Sequence, residues 1–536
     1  MHDSGTSHNR APRTLVGLSA WCSLVLAGPA IYLVIRNFTA DADPFGLLFT
    51  DRVLGPLWRT IVLAVLVSLS AGALGTGLAW LTTRTDLPFS KTFSVLLTLP
   101  LVYPTFIGAA ALVRTLNPGG IVNDALSGLG VDRTPTLSGL FGAWLVLTLL
   151  TYPYVFLPVA ARFSRLPTSI EQTARLLGNS ATHVFARIIV PQAAGSIVAG
   201  MLLVFLYAIS DFGAVAILRY DTLTRAIDTN QLANRPVALA LSLMLLILAG
   251  LVVAAERSAG RRRVVSSSPR ASATTALTLG RARVPSLLGV GSVVLFALGA
   301  PLIALFDWTI RGLITQNRTG RRLTVDGAEI AEITTNTLGV SAVAAVTAVA
   351  IVLPIALLVG RYSTRVGNLG HAVAISTFAL PGILIALTGT FFIRQTDWTF
   401  NTFHNSMAIL IFSYTVRFAA LAMGTTLLAV HAVPQRLRDA SQTLGADQRR
   451  RFRTVDLPLM TPGLLAAGGL VLLSTMKELP ISLLLSPFEF ETLATRIFST
   501  FNESFVTEAG LMALTLVALS FVATWMLIIR PLSRQR

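Results

Sequence analysis

The chain of 536 residues is 53% hydrophobic and only 12% charged, with a mean hydropathy of +0.70. No water-soluble fold hides that much apolar surface, so the composition excludes a soluble globular protein and points to a polytopic membrane protein. A formal charge of +17 would suggest nucleic acid in a soluble chain; here the placement of the charges matters more than their sum.

In chain order, a short head with Arg10 and Arg13 precedes an apolar run at about 15–35. Its length of roughly 20 residues fits a retained first helix rather than a cleaved leader. The one cysteine, Cys22, lies in this run, which excludes a disulfide framework and a thiolate metal cluster. Further apolar runs follow near 57–82, 92–113, 138–160, 189–217 and 236–255. The stretch 256–285, ERSAGRRRVVSSSPRASATTALTLGRARVP, has the Ser, Pro and Arg content of a linker. Six more runs lie near 287–306, 333–359, 369–393, 406–430, 459–485 and 508–529. The expected fold is all-α, about twelve transmembrane helices, because backbone groups in lipid must satisfy themselves locally.

With the N-terminus inside, the inner loops collect roughly 26 Lys and Arg against about 14 outside, so both termini are expected on the cytoplasmic side. Matches along the chain indicate duplication. Pro167 and Pro434, Gly178 and Gly445, and Pro191 and Pro458 are each 267 positions apart. Thr60 and Thr337, Arg84 and Arg361, and Pro104 and Pro381 are each 277 apart, the change in offset fitting a longer outer loop at 117–136. The expected organisation is a six-helix half at 1–255, a basic cytoplasmic linker at 256–286, and a second half at 287–536. Six spans per half make the copies parallel repeats, with a pathway between them.

The repeated inner loops read SRLPTSIEQTARLLGNSATHVFARIIVP (164–191) and HAVPQRLRDASQTLGADQRRRFRTVDLP (431–458). Each proline is suited to open a short helix, and Gly178 or Gly445 to close it in a left-handed cap. Within them, Gln172, Thr173, Ala174, Gly178 and Pro191 correspond to Asp439, Ala440, Ser441, Gly445 and Pro458, with thirteen residues from glycine to proline in both copies. This resembles the EAA loop of the inner-membrane permeases of binding-protein-dependent ABC importers. The resemblance implies a place in the inner (plasma) membrane and that each loop docks as a short surface helix on an ATP-binding subunit, so the partners are two ATPases and an extracytoplasmic solute-binding protein. The bland reading is an amphipathic segment whose arginines meet anionic lipid. The copies depart from the family pattern at its acid: the first has Gln172 there, with Glu171 one residue earlier, and the second has Asp439. The first loop therefore either shifts register or makes a neutral hydrogen bond, and docking is expected to be asymmetric.

Lys91 and Lys477 are the only lysines, and neither lies in a phosphate loop, so the chain is not expected to be an enzyme; ATP and Mg belong to the partner, and no cofactor is expected here. Past each loop, ISDFG and MKELP place Asp211 opposite Glu478 and Ser210 opposite Lys477. Twenty residues beyond each proline, about 30 Å along a helix, these acids are expected in the outer half of the membrane. They either line the translocation path or, as in a Lys477–Asp211 pair, lock helices together. Pro104 and Pro381 are candidates for path-lining kinks or for packing relief.

With the downstream ETLATRIF, these stretches look like the fused ferric-iron permeases; permeases for thiamine, phosphonate and polyamine share the loop. Carboxylates suit a hard cation without separating Fe(III) from an organic cation. A gradient-driven secondary transporter using Asp211 and Glu478 as coupling groups is the alternative from another class. The six histidines show no metal-ligand spacing, so no metal site is expected. Arg417 in the tenth span is either paired internally or snorkelling, and glycine-rich runs such as 71–77 and 466–469 are expected to permit close helix packing. The outer segment 317–332 is a candidate contact for the binding protein.

Overall fold

The computed structural model describes residues 11–39, 44–118, 120–123, 136–261, 277–319, 327–362, 364–503 and 506–526. The loop at 124–135, most of the linker at 262–276 and the outer segment at 320–326 lie outside the described residues. Among the described residues, nine helices are long and apolar enough to cross a membrane, or eleven when each of two bent pairs counts as one. A shorter apolar helix, Glu508–Thr524, occupies the twelfth expected position.

The bent pairs correct the reading of the third and ninth spans. Ser90–Val102 turns by 104° into the helix that follows from Thr105, and Arg365–Ala379 turns by 102° into Gly382–Ile393. Proline offers no amide to the previous turn and drives its predecessor out of the helical region. Tyr103 and Leu380 accordingly take extended ψ values of 130° and 109°. Pro104 and Pro381 thus break their spans rather than kink them. Spans five and eleven are also shorter than expected: Val190–Ser210 stops before Asp211, and Leu457–Thr475 before Glu478.

Two compact units emerge, and they do not follow chain order. One comprises Ala42–Thr324 with Ile497–Val517. Here Asp51–Arg84 packs on Gly139–Arg165 and Phe185–Ser210. Small residues let these helices approach: a Cβ at Gly75 would lie 2.9–3.0 Å from Tyr152, Val155 and Phe156, and one at Gly72 would lie 2.8 Å from Met201. That accounts for Gly72 and Gly75 in the small-residue run at 71–77, while Gly77 has open space around it. The seventh span, Gly280–Gly312, joins this unit: Tyr103 donates to the Leu298 carbonyl (3.0 Å), and Arg114 pairs with Asp307 at 3.8 Å.

The other unit comprises Met1–Asp41, Val325–Arg496 and Ala518–Arg536. Gly327–Tyr362, Met407–Ala432 and Gln448–Thr475 form its centre, and the first span, Arg13–Thr39, lies on Arg365–Ser376. Gly370 abuts Ser23 so closely that any side chain there would collide, and Tyr32 donates to Gln395 at 2.7 Å. The opening helix of each sequence half therefore packs with helices of the other half. The 466–469 run is less telling, since Gly468 has open space around it.

Candidate functional site

The two inner loops fold as near copies. Thr168–Leu176 follows Pro167, and Gln435–Thr443 follows Pro434. Each helix ends on a left-handed glycine, Gly178 at φ 86° and Gly445 at φ 78°. The closing bonds match: the amides of Gly178 and Asn179 donate to Arg175 and Ala174 (2.9 and 3.2 Å), and those of Gly445 and Ala446 to Gln442 and Ser441 (2.9 and 3.0 Å). This double closure satisfies carbonyls that a helix end leaves unpaired. One turn further on, Phe185–Ile189 and Phe452–Asp456 each form a π turn, again 267 positions apart. The wide turn carries the chain past Pro191 and Pro458 without a break, so each loop runs directly into its membrane helix, Phe185–Ser210 or Gln448–Thr475.

Most residues of the two loop helices face outward, and several do so at matched positions. Thr173 and Ala440 are exposed at equivalent positions, whereas Ala174 and Ser441 are buried. Leu177 and Leu444, just before the glycines, are 78% and 87% exposed, an apolar knob on each tip. Glu171 turns inward, so of the two ways to fill the family's acid position the first loop is left with the exposed Gln172. The second presents the exposed Asp439, which accepts from Gln435 at 2.9 Å.

Behind the loops lie buried charges whose roles were not assigned from sequence. Arg84 ends the second span and donates to the carbonyls of Phe163 and Leu166, the latter at 2.7 Å. Its repeat mate Arg361 donates to Val430 and Val433, the latter at 3.2 Å, and those carbonyls lie 267 positions beyond the first pair. The counter-charges differ. Arg84 faces Glu171 at 3.7 Å; at the position equivalent to Glu171 the second half has Arg438, which pairs with Asp456 at 3.2 Å alongside Arg451 at 3.6 Å. Burial raises the Glu171 carboxyl above its ordinary value, and Arg84 and Arg175 pull it back.

The membrane acids sit at the span breaks, which corrects their placement inside a continuous helix. The Asp211 carboxylate accepts from Thr105 (2.5 Å) and from the amides of Ala214 and Val215 (2.9 and 3.4 Å). It thus caps Gly213–Ile217 and meets the start of Thr105–Leu116, where the helix dipole favours an anion. Glu478 holds the matching place: Gly382, 277 positions after Thr105, abuts its carboxylate, and any side chain there would collide. Asp with Thr in one half is replaced by Glu with Gly in the other, the longer acid reaching into the space the smaller residue leaves. Lys477 sits beside Glu478 at the same break and is half-buried. Arg417 is paired internally, donating to the carbonyls of Phe378 (3.4 Å) and Leu380 just before the Pro381 break.

This reciprocity is testable. Gly382→Thr alone is expected to destabilise the chain by about 1–3 kcal/mol through overpacking. Adding Glu478→Asp should recover most of that in thermal unfolding, because it rebuilds the Thr105–Asp211 contact; additive losses would show that the two sites are not coupled.

Repeat symmetry also explains Thr60 and Thr337, matched in sequence without a role. Their hydroxyls accept from the amides of Leu223 and Leu493, both at 2.8 Å.

The family model described as "binding-protein-dependent transport system inner membrane component" matches twice, at residues 71–265 and 352–536. Over 97% of the chain and 98% of the relative, the sequence is 28% identical to the Fe(3+)-transport system permease protein FbpB 2 of Haemophilus influenzae. Half-length matches include a probable molybdenum ABC transporter permease protein of Haloferax volcanii, 30% identical over 39% of the chain and 76% of the relative. Another is the spermidine/putrescine transport system permease protein PotB of Salmonella typhimurium, 29% identical over 37% of the chain and 74% of the relative. The chain is a transport subunit rather than an enzyme. With both repeats matched and apolar spans throughout, the chain belongs to the family of binding-protein-dependent transport system inner membrane components.

Proposed function

We propose that this chain is the permease of an ATP-driven importer of ferric iron, working by alternating access. The observation that carries the reading is the pair of inner loops: two helices closed by left-handed glycines, each tipped by an exposed leucine and continuous with a membrane span. A rigid stub joined to a span passes on a push applied at its tip. Two ATP-binding subunits take the loops around Gly178 and Gly445, through Gln172, Thr173, Asp439 and Ala440, and hold the ATP and Mg. An extracytoplasmic binding protein delivers the substrate to the opposite face.

Both termini and the basic linker lie in the cytoplasm, on the side where arginine accumulates. The halves 1–255 and 287–536 act as homologous partners. The breaks at Pro104 and Pro381 border the path, with Asp211, Lys477 and Glu478 beside them. Iron is favoured over a polyamine or molybdenum substrate because the iron-transport relative matches both halves in one chain, whereas the others match about one half.

The test is uptake of radioactive ferric iron into vesicles holding the chain, its ATPase subunits and its binding protein. Uptake that requires ATP and the ATPase subunits supports the proposal. Uptake without them that collapses with an uncoupler would make this a gradient-driven carrier.

A further inference from the structure

We infer that Arg84 and Arg361 are positioning residues for coupling: each arginine locks the hinge between a membrane span and its loop helix. This rests on the proposed coupling role of the loops. The four carbonyls they hold are not arbitrary. Phe163 lies in the last turn of Pro153–Arg165, and Leu166 is the residue immediately before Pro167, where the loop helix begins. Val430 and Val433 hold the same places at the end of Met407–Ala432 and before Pro434. The last carbonyls of a helix have no partners within it, and the helix dipole makes that end negative. A guanidinium answers both needs: in Arg361 Nη1 and Nη2 take one carbonyl each, and in Arg84 Nη2 takes both, in each case from a planar group.

Capping alone needs only one of the two bonds. The second bond, to Leu166 or Val433, spans the joint itself and fixes the direction in which the loop helix leaves the membrane. Each lever is therefore referenced to the inner end of a different helix, Asp51–Arg84 or Gly327–Tyr362, so a push on the loop reaches two spans at once. In the first half Arg84 also meets the loop helix's own Glu171, while in the second the loop's Arg438 is tied to Asp456 on the following turn. The ion pair thus crosses the joint in the first half and stays within the loop in the second.

Two measurements test this on Arg84→Met, Arg361→Met and, where methionine impairs insertion, Arg84→Lys and Arg361→Lys, which keep the charge and lose the planar guanidinium. In the assembled complex, iron taken up per ATP hydrolysed should fall several-fold while the ATPase subunits stay bound. A purely structural role would lower the amount of complex and leave that ratio unchanged. In the purified chain in detergent, with Cys22→Ser, a spin label at Thr173→Cys or Ala440→Cys should move several-fold faster in the arginine variants than in the parent. A wild-type ratio in the variants overturns the inference whatever the labels show. If the parent complex shows no ATP-driven uptake, the coupling role fails instead; label mobility then decides alone, and unchanged mobility overturns the locking role.

Discussion

Replacing Gly178 and Gly445 together with valine lowers ATP-driven uptake by about two orders of magnitude while leaving membrane insertion intact. Both glycines sit at φ near +80°, where a β-branched residue is an outlier. A Cβ at either site meets nothing within 4 Å, so the cost is confined to the backbone. Left-handed geometry costs an L-residue roughly 1–2 kcal/mol, which depopulates each closed cap about 5–30-fold. If both levers must be closed at once, the two factors multiply to about a hundredfold. Asparagine, which tolerates this region, should keep uptake within a few-fold of the parent. Uptake measured at equal protein in the membrane checks both variants; a double valine variant with undiminished uptake would remove the loops from the mechanism.

Asp456→Ala is expected to be the most destabilising single change near the loops, by about 3–5 kcal/mol, because it strands two buried arginines. Arg438, Arg451 and Asp456 are each less than 10% exposed, and Arg361 lies near the same group. The first half manages the same site differently, with Glu171, Val184 and Ile189 in the equivalent positions. Arg438→Glu, Arg451→Val and Asp456→Ile made together transplant that solution and should restore most of the lost stability. Thermal unfolding in detergent reads both; a neutral Asp456→Ala variant would mean that the arginines find water instead of the aspartate.

Much of this was legible in the sequence because the relevant signals are local. Hydropathy located the spans, and the constant offset of 267 located both loops, down to the glycines that end them. A left-handed cap needs only a glycine after a short helix, so residue type alone was enough. The breaks at Pro104 and Pro381 were less legible, because proline within an apolar run is consistent with a kink or a full turn and only neighbouring helices decide. Asp211 was expected within a helix because its surroundings are apolar; its carboxylate instead caps the short helix just after it and also accepts from Thr105, 106 positions away, a contact the local sequence does not carry. Arg84 and Arg361 stood out as a matched pair without a role, since their partners are backbone carbonyls, which carry no residue code. The exchange of opening helices between the halves leaves no sequence trace, as lipid-facing and helix-facing apolar residues look alike.

The most direct measurement is uptake into vesicles containing the purified chain, with the ATPase subunits and binding protein added or withheld. Levers driven from outside the chain require uptake to start only when ATP and the ATPase subunits are present inside, and to persist when an uncoupler removes the ion gradient. Uptake by the chain without those subunits, abolished by the uncoupler, would contradict it.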